Sequence, residues 1–157
     1  MPVISGGQVV QPGKLLSQSI LFTETAATGT YTGSITVPAG SFLVDVIVHG
    51  LVAWDADTSA VLKVGDATIT DGIFTDVELK STELLAAEGL SAAAVASSGG
   101  GVVGGDLANS QWNRRYLATA RVISGIVTTV SGTGTAGRTL LTVIYTDPAG
   151  VGAATKV

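Results

Sequence analysis

Cysteine is absent from this 157-residue sequence, and charged and aromatic residues are both scarce. Without cysteine the chain has no disulfide framework, no thiolate metal site and no thiol nucleophile. A domain of this length buries roughly 70% of the surface that its unfolded chain exposes, so it can fold without such crosslinks. Because no change in composition marks a second core, we expect one domain over residues 1–157.

The low number of charged residues says most about the possible partners of the protein. Only 13% of the residues are Asp, Glu, Lys or Arg, against about 25% in ordinary soluble domains. The net charge is −4 and the single local basic cluster is Arg114-Arg115, which is too small to neutralise a nucleic-acid backbone. We therefore expect no nucleic-acid partner. Much of the surface must be uncharged, and burial against neighbouring subunits explains such a surface.

Long apolar runs are missing as well, although the mean hydropathy is +0.51. The longest candidates are interrupted by Asp45 and by Glu88-Gly89, whereas a membrane-spanning helix needs about 20 consecutive apolar residues. The first residues show neither the basic start nor the apolar stretch of a signal peptide. We therefore expect no membrane partner and synthesis in the cytoplasm.

What the sequence does contain is a series of short segments in which polar and apolar residues alternate, the period of a half-buried strand. These segments are residues 30–37, 42–53, 59–65, 73–80, 116–124, 126–131 and 138–146. Gly125 predicts a bulge or bend between two of them. In the segment 42–53 the even-numbered residues, starting with Phe42, are expected to face the core. About seven or eight strands separated by turns predict an all-β fold, a β-sandwich or jelly roll.

The β-sandwich is expected to cover residues 16–147, with the segments 81–88 and 89–110 inserted between its strands and an extension at each end. Residues 81–88 are the only good helix candidate. Residues 89–110 are rich in Gly, Ala and Ser and predict one long mobile loop, because few side chains anchor them. Residues 1–15 and 148–157 are predicted to form an N-terminal arm and a C-terminal tail.

Two motifs suggest ligand chemistry that their context does not support. Residues 132–137 read G-T-G-T-A-G and match the dinucleotide fingerprint G-x-G-x-x-G. A β-branched segment follows instead of the helix that would face pyrophosphate, so a flexible hairpin turn is predicted. Asp55, Asp57, Asp66 and Asp71 carry oxygen ligands suited to calcium, but their spacing is not that of an EF-hand and favours turn capping. No cofactor or metal is expected.

His49 is the only histidine, so a Ser-His-Asp triad could form only around it. It lies within a predicted strand and no pairing of carboxylates supports general acid–base catalysis, so a packing or interface role is favoured and no enzymatic activity is expected. At a subunit contact, this residue would make assembly sensitive to pH. A jelly-roll hydrolase that depends on His49 is the alternative.

The two tryptophans are Trp54 and Trp112, and both are interpreted as core or interface anchors. Trp112 stands close to Arg114, Arg115 and Tyr116, a mixture of residue types that is typical of interface hot spots. The predicted interface residues are Trp112, Arg114, Arg115, Tyr116, His49 and Trp54. Stacking of a sugar on either tryptophan is the alternative.

Several turn and strand motifs carry a family resemblance. They are Val37-Pro38-Ala39-Gly40, residues 58–65, Asp71-Gly72, residues 135–138 and residues 143–145. Together they resemble the small virion proteins of tailed bacteriophages, which are often capsid decoration or cement proteins. The resemblance implies a β-sandwich or jelly-roll subunit, often a homotrimer, that lies on the outer capsid surface and bridges neighbouring major capsid subunits. It implies synthesis in the host cytoplasm and carries no catalytic residues. The alternative is a tail- or fibre-associated adhesin that binds a host glycan.

Overall fold

The computed structural model describes residues 14–26, 29–85, 89–93, 115–130 and 133–148. Most of the predicted arm, loop and tail lies outside the described residues, since residues 1–13, 94–110 and 149–157 are not described. Eight β-strands are found within them. They are β1 (Leu15–Thr23), β2 (Thr30–Val37), β3 (Leu43–Val52), β4 (Ser59–Gly65), β5 (Phe74–Glu78), β6 (Leu90–Ser91), β7 (Arg121–Val130) and β8 (Arg138–Thr146).

The strands form two antiparallel four-stranded sheets, in the orders β1-β8-β3-β6 and β2-β7-β4-β5. Strands pair from the two ends of the chain inward, β1 with β8, β2 with β7, β3 with β6 and β4 with β5. The chain is therefore a long hairpin that is rolled up until β3 also meets β8 and β4 also meets β7. This topology is a jelly roll, which confirms the predicted all-β sandwich.

The core lies between the two sheets and consists of the inward-facing residues of their strands. Alternation in β2, β4 and β8 is as predicted; in β8, for example, Leu141, Val143 and Tyr145 are all buried. Each buried Val, Leu or Ile contributes about 1.5–3 kcal/mol relative to an exposed one, so these inner rows supply most of the driving force for folding.

β3 departs from the predicted alternation at its start. Phe42 was expected in the core, but it is 42% exposed while Leu43 is fully buried. The register against β8 shifts between Leu43 and Asp45, and such a bulge moves the residues on one side of it to the opposite face. Beyond the bulge Val46 and Val48 face the core as predicted, but Val52 lies after a second register shift, at Gly50, and is 38% exposed.

β7 runs without a register shift past Gly125, so the bulge or bend predicted there is wrong. Gly125 lies opposite Gly33 of β2, and both glycines face the ring of Phe22 in the other sheet. A Cβ atom on Gly125 would lie 2.8 Å from Cζ of Phe22, and one on Gly33 would lie 3.3 Å from it. Glycine is required here because the two sheets approach closely around one aromatic ring.

Within residues 81–85, the described part of the predicted helix 81–88, the structure has a 3-10 turn at Thr82–Leu85. Its Leu84 is buried against β3, near Gly50. In the ranges that the structure describes, no helix is long and apolar enough to cross a membrane. Residues 90 and 91 of the predicted mobile loop form β6, which pairs with Ile47 and Val48 of β3.

The periodicity of the sequence does not predict β1. It pairs with β8 through all nine of its residues without a register shift. Its inner row contains the buried Phe22, but its outer row contains Leu15 and Leu21, which are 62% and 52% exposed. Because apolar residues stand on both faces, the alternation that marks a half-buried strand is hidden.

Because Gly125 packs closely against Phe22, we predict that Gly125→Ala destabilises the protein. The added methyl group would overlap the ring, so we expect the free energy of unfolding to fall by about 1–3 kcal/mol. Urea denaturation followed by circular dichroism measures this change. Gly29→Ala is the matched control, because a Cβ there has no heavy atom within 4 Å, and a change within about 0.5 kcal/mol is expected. Equal unfolding midpoints for the two variants would contradict the packing role.

Candidate functional site

Tyr116 is the most exposed large apolar side chain of the described residues, at 65%. It forms an isolated antiparallel bridge with Phe42. The guanidinium carbon of Arg115 lies 5.1 Å from the centre of the Phe42 ring, which is a cation–π contact. We call Phe42, Arg115 and Tyr116 the aromatic patch. It contains the residue types that are enriched at protein–protein interfaces.

The backbone hydrogen bonds of the sandwich hold this patch in place. The Leu43 N–H donates to the Arg115 carbonyl over 2.7 Å, and the Leu117 N–H donates to the Ser41 carbonyl over 3.0 Å. Arg115 Nε donates in turn to the Leu43 carbonyl over 3.0 Å, and the buried Leu117 anchors the segment in the core. The patch is therefore ordered before any partner binds, which lowers the entropic cost of binding.

An open cleft of about 430 Å³ borders the patch on the side of Tyr116. Residues 66–68 and 116–122 form its walls. Arg121 Nε donates to Asp66 Oδ2 over 2.8 Å, and the two side chains are only 11% and 15% exposed. The charges in the cleft wall are thus paired with each other, as in a structural ion pair.

Asp66 also caps the turn that follows β4. Its Oδ1 accepts hydrogen bonds from the N–H groups of Thr68, over 2.8 Å, and Ile69, over 3.1 Å. Burial raises the pKa of Asp66, but these backbone hydrogen bonds and the Arg121 charge outweigh it and hold the pKa below its ordinary value. The predicted turn-capping role is confirmed for this residue.

Asp57 and Asp71, two of the other aspartates considered as calcium ligands, each accept a hydrogen bond from a different hydroxyl group. Asp71 accepts a hydrogen bond from the Thr75 hydroxyl over 3.3 Å, and Asp57 accepts one from the Thr133 hydroxyl over 2.9 Å. Within the described ranges, no group of three or more His, Cys, Asp or Glu side chains is placed to hold a metal ion.

Residues 133–137 of the glycine-rich motif are bound by two carboxylates of the protein itself. Asp55 Oδ1 accepts from the N–H groups of Thr135, over 2.9 Å, and Ala136, over 3.1 Å. Glu24 Oε2 accepts from the Gly137 N–H over 2.9 Å and from the Asp55 N–H over 3.0 Å. The backbone donors of the motif therefore do bind an anion, but this anion is internal.

The same motif was predicted to form a flexible hairpin turn, and that prediction is wrong in one respect. A hairpin joins neighbouring strands, whereas this segment leads from β7 in one sheet to β8 in the other. The carboxylates of Asp55 and Glu24 join this crossing segment to residue 55, which lies at the start of the connection between β3 and β4. The motif is therefore a structural crossover.

Trp54 lies in the core and is only 2% exposed. Its Nε1 donates to the Thr139 hydroxyl over 2.8 Å, and its ring contacts the Tyr31 ring edge-on with centroids 5.5 Å apart. This burial removes Trp54 from the predicted interface residues and selects the core alternative. A sugar cannot stack on it, because stacking needs an open ring face.

The structure brings together only some of the predicted interface residues. Arg115 and Tyr116 meet in the aromatic patch, while Trp112 and Arg114 lie outside the described residues. His49 is half-buried on the outer face of β3, opposite Leu140 of β8 and at the other end of the strand from the patch. The alternation of the sequence does not predict Phe42 as a surface residue, because the bulge that turns it outward leaves no mark in the pattern.

Two solved structures share this fold. One is a chain in the acidic stable capsid structure of Helicobacter pylori bacteriophage KHP30, with a TM-score of 0.54 and 14% identity, which covers 87% of this chain and 90% of that chain. The other is a chain in the cyanophage Pam1 capsid asymmetric unit, with a TM-score of 0.51, 20% identity and 93% coverage of both chains. No protein-family model and no curated protein matches the sequence.

The carboxylate contacts predict how acid affects stability. The N–H of Ala136, followed by the neighbouring Glu24 carboxyl, lowers the pKa of Asp55 below its ordinary value of 3.8. A group with a depressed pKa in the folded state stabilises the protein above its unfolded pKa, and this contribution is lost as the pH falls through the folded pKa. We therefore expect Asp55→Asn to lower the thermal midpoint at neutral pH and to lose less stability than wild type between about pH 5 and about pH 2.

Thermal unfolding at neutral pH and at about pH 2, followed by circular dichroism, measures how much stability each protein loses in acid. Asp76→Asn is the control, because the Asp76 carboxylate makes only a surface ion pair with Lys63, at 3.6 Å with side chains 67% and 43% exposed. Such a pair contributes about 0–1 kcal/mol. If Asp55→Asn kept the wild-type midpoint at neutral pH, the carboxylate would not be holding the crossover.

Proposed function

We propose that this protein is a structural virion protein that decorates the outer surface of a bacteriophage capsid and stabilises it by bridging neighbouring major capsid subunits. The observation that carries the proposal is the similarity of fold, over 87% and 93% of this chain, to chains in two phage capsid structures. A jelly roll hosts many functions, so the surface of this chain must supply the remaining support.

The surface is suited to lasting contact with other proteins. Large apolar side chains are exposed on both sheets of the described chain, and charged residues make up only 13% of the sequence. Interfaces are depleted in charge at their centre and enriched in aromatic residues and arginine. The aromatic patch combines Phe42, Arg115 and Tyr116 on an ordered backbone, which makes it the strongest candidate for the contact with the capsid subunit.

Bridging stabilises a shell through linkage. A protein that binds two neighbouring subunits at once adds contacts that must break before the subunits separate, and it favours the assembled state in proportion to its binding free energy. Many copies, each bound at more than one point, raise the total beyond the affinity of any single contact. The antiparallel ladders of the jelly roll suit this task, because they make the bridge rigid.

The proposal has further parts. The protein associates with itself as a homotrimer and with the major capsid protein, is made in the host cytoplasm, and acts without enzymatic chemistry. The low charge of the sequence supports association with other protein surfaces, and the resemblance of its turn and strand motifs to capsid decoration proteins supports the other parts. His49, on the outer face of β3, remains a predicted contact residue.

Binding to shells tests the proposal. Purified protein is mixed with capsid shells that lack it and is sedimented with them. Wild-type protein is expected to sediment with the shells, and Tyr116→Ser is expected to bind roughly 30-fold more weakly, the effect of losing a hot-spot residue worth about 2 kcal/mol. Because Tyr116 is 65% exposed, the substitution should leave the circular dichroism spectrum and thermal midpoint unchanged.

Val130→Thr is the matched control, since Val130 is 46% exposed and lies at the end of β7 that is remote from Tyr116. We expect it to bind like wild type. Failure of the wild-type protein to sediment with shells would refute the decoration role. Normal binding by Tyr116→Ser would refute only the assignment of the aromatic patch.

A further inference from the structure

β1 is a sheet edge without the usual protection. It lies at the end of the sheet order β1-β8-β3-β6, so no strand of the described chain pairs with its other side. Its nine residues, LLSQSILFT, include no charged residue, no proline and no glycine, and it pairs with β8 without a bulge. Proteins that stay monomeric usually protect such an edge with charges, proline, bulges or short strands.

Of the other three sheet edges of the described residues, two show that protection. β6 has only two residues. β5 has five, carries Asp76 and Glu78, and is irregular because Asp76 has a φ of 50° and the register against β4 shifts. β2 is uncharged, but its outward row is Thr30, Thr32, Ser34 and Thr36, whose hydroxyl groups are well solvated. β1 alone combines an uncharged regular edge with exposed leucines.

The backbone groups that β1 leaves unpaired can be identified from its register. The Asp147 N–H donates to the Lys14 carbonyl over 2.7 Å, and the Glu24 N–H donates to the Gly137 carbonyl over 2.8 Å. Alternate residues of an antiparallel strand form the hydrogen-bonded pairs with a given neighbour. The even-numbered residues from 14 to 24 therefore bond to β8, and the odd-numbered residues of β1 direct their N–H and C=O groups outward.

The side chains of β1 are symmetric about Gln18. In an antiparallel pairing of two copies around this residue, Leu15 stands opposite Leu21, Leu16 opposite Ile20 and Ser17 opposite Ser19. The pairs that would exchange hydrogen bonds, Leu15 with Leu21 and Ser17 with Ser19, are all odd-numbered, which are the residues whose backbone groups point outward. The two leucines that become neighbours are the two exposed apolar residues of the strand, at 62% and 52%.

We propose that β1 is a self-association edge, which pairs antiparallel with β1 of a second copy of this chain about a two-fold axis at Gln18. A two-fold contact needs a surface that is complementary to itself, and β1 meets that requirement in its apolar pairs, its polar pairs and its free backbone groups together. The pairing joins two jelly rolls through a continuous sheet. It is a two-fold contact, additional to the three-fold contact of the proposed homotrimer, and it does not depend on the capsid role.

A single-cysteine variant tests the pairing directly, because the natural chain has no cysteine. The two copies of residue 18 would form a pair without mutual hydrogen bonds, in which Cα atoms are about 4.5 Å apart, within the range of about 4.4–6.8 Å that a disulfide bridges. Mild oxidation of the full-length Gln18→Cys protein is expected to convert most of it to a disulfide-linked dimer on a non-reducing gel. This readout reports the two-fold contact whether or not trimers also form.

Ser34→Cys is the matched control, since Ser34 is exposed in the middle of β2, the other uncharged edge. It is expected to stay as single chains under the same oxidation. If Gln18→Cys gave no more crosslinked dimer than Ser34→Cys, and both kept the wild-type circular dichroism spectrum, the proposal would be overturned.

A second variant keeps the test valid if Gln18→Cys fails to fold, because Gln18 donates a hydrogen bond to the Tyr145 hydroxyl. Ser17→Lys with Ser19→Lys places lysines opposite each other across the axis, and like charges so placed destabilise a strand pair. Self-association of this variant, measured by sedimentation equilibrium, is expected to weaken at least tenfold, while Thr32→Lys with Ser34→Lys leaves it unchanged. Unchanged self-association of the β1 variant would refute the β1 contact.

Discussion

The two sheets of this jelly roll approach closely where the ring of Phe22 packs against Gly33 and Gly125, and this contact constrains how the ends of the chain are placed. Phe22 belongs to β1, so the contact fixes the first strand and, through the paired register, the last one. Glu24 is the first residue after β1 and is buried, which places its carboxylate where it can bind the crossover at residues 133–137. Packing of this ring, pairing of β1 with β8 and the Glu24 hydrogen bonds together hold both ends of the rolled hairpin in place.

The shortage of charge has a second consequence in the folded protein. Several of the few charged side chains are engaged in holding connections: Glu24 and Asp55 hold the crossover, Arg121 and Asp66 hold the turn after β4, and Arg115 bonds to the backbone of β3. The outer surface is therefore left largely to hydroxyl and apolar side chains. Water solvates such a surface less favourably than a charged one, which favours its burial against other proteins.

The same fold can form from sequences of low identity. Chains that are 14% and 20% identical to this one form the same architecture, because a sandwich requires inward rows of apolar residues of suitable volume more than it requires particular residues. The outer rows are free to change with the partner. Function in such a fold therefore resides in surface features, here the aromatic patch and the edge of β1.

The sequence by itself determined the all-β class and the strands whose alternation is strict, since the two-residue period of β2, β4 and β8 is a local property of the chain. Only the tertiary structure decided the rest. Phe42 is turned outward by a bulge against β8, Gly125 is required by a ring in the other sheet, and Trp54 is buried by its contacts with Thr139 and Tyr31. Each of these outcomes depends on what lies across the sheet or the core, and neighbours along the chain carry no record of it.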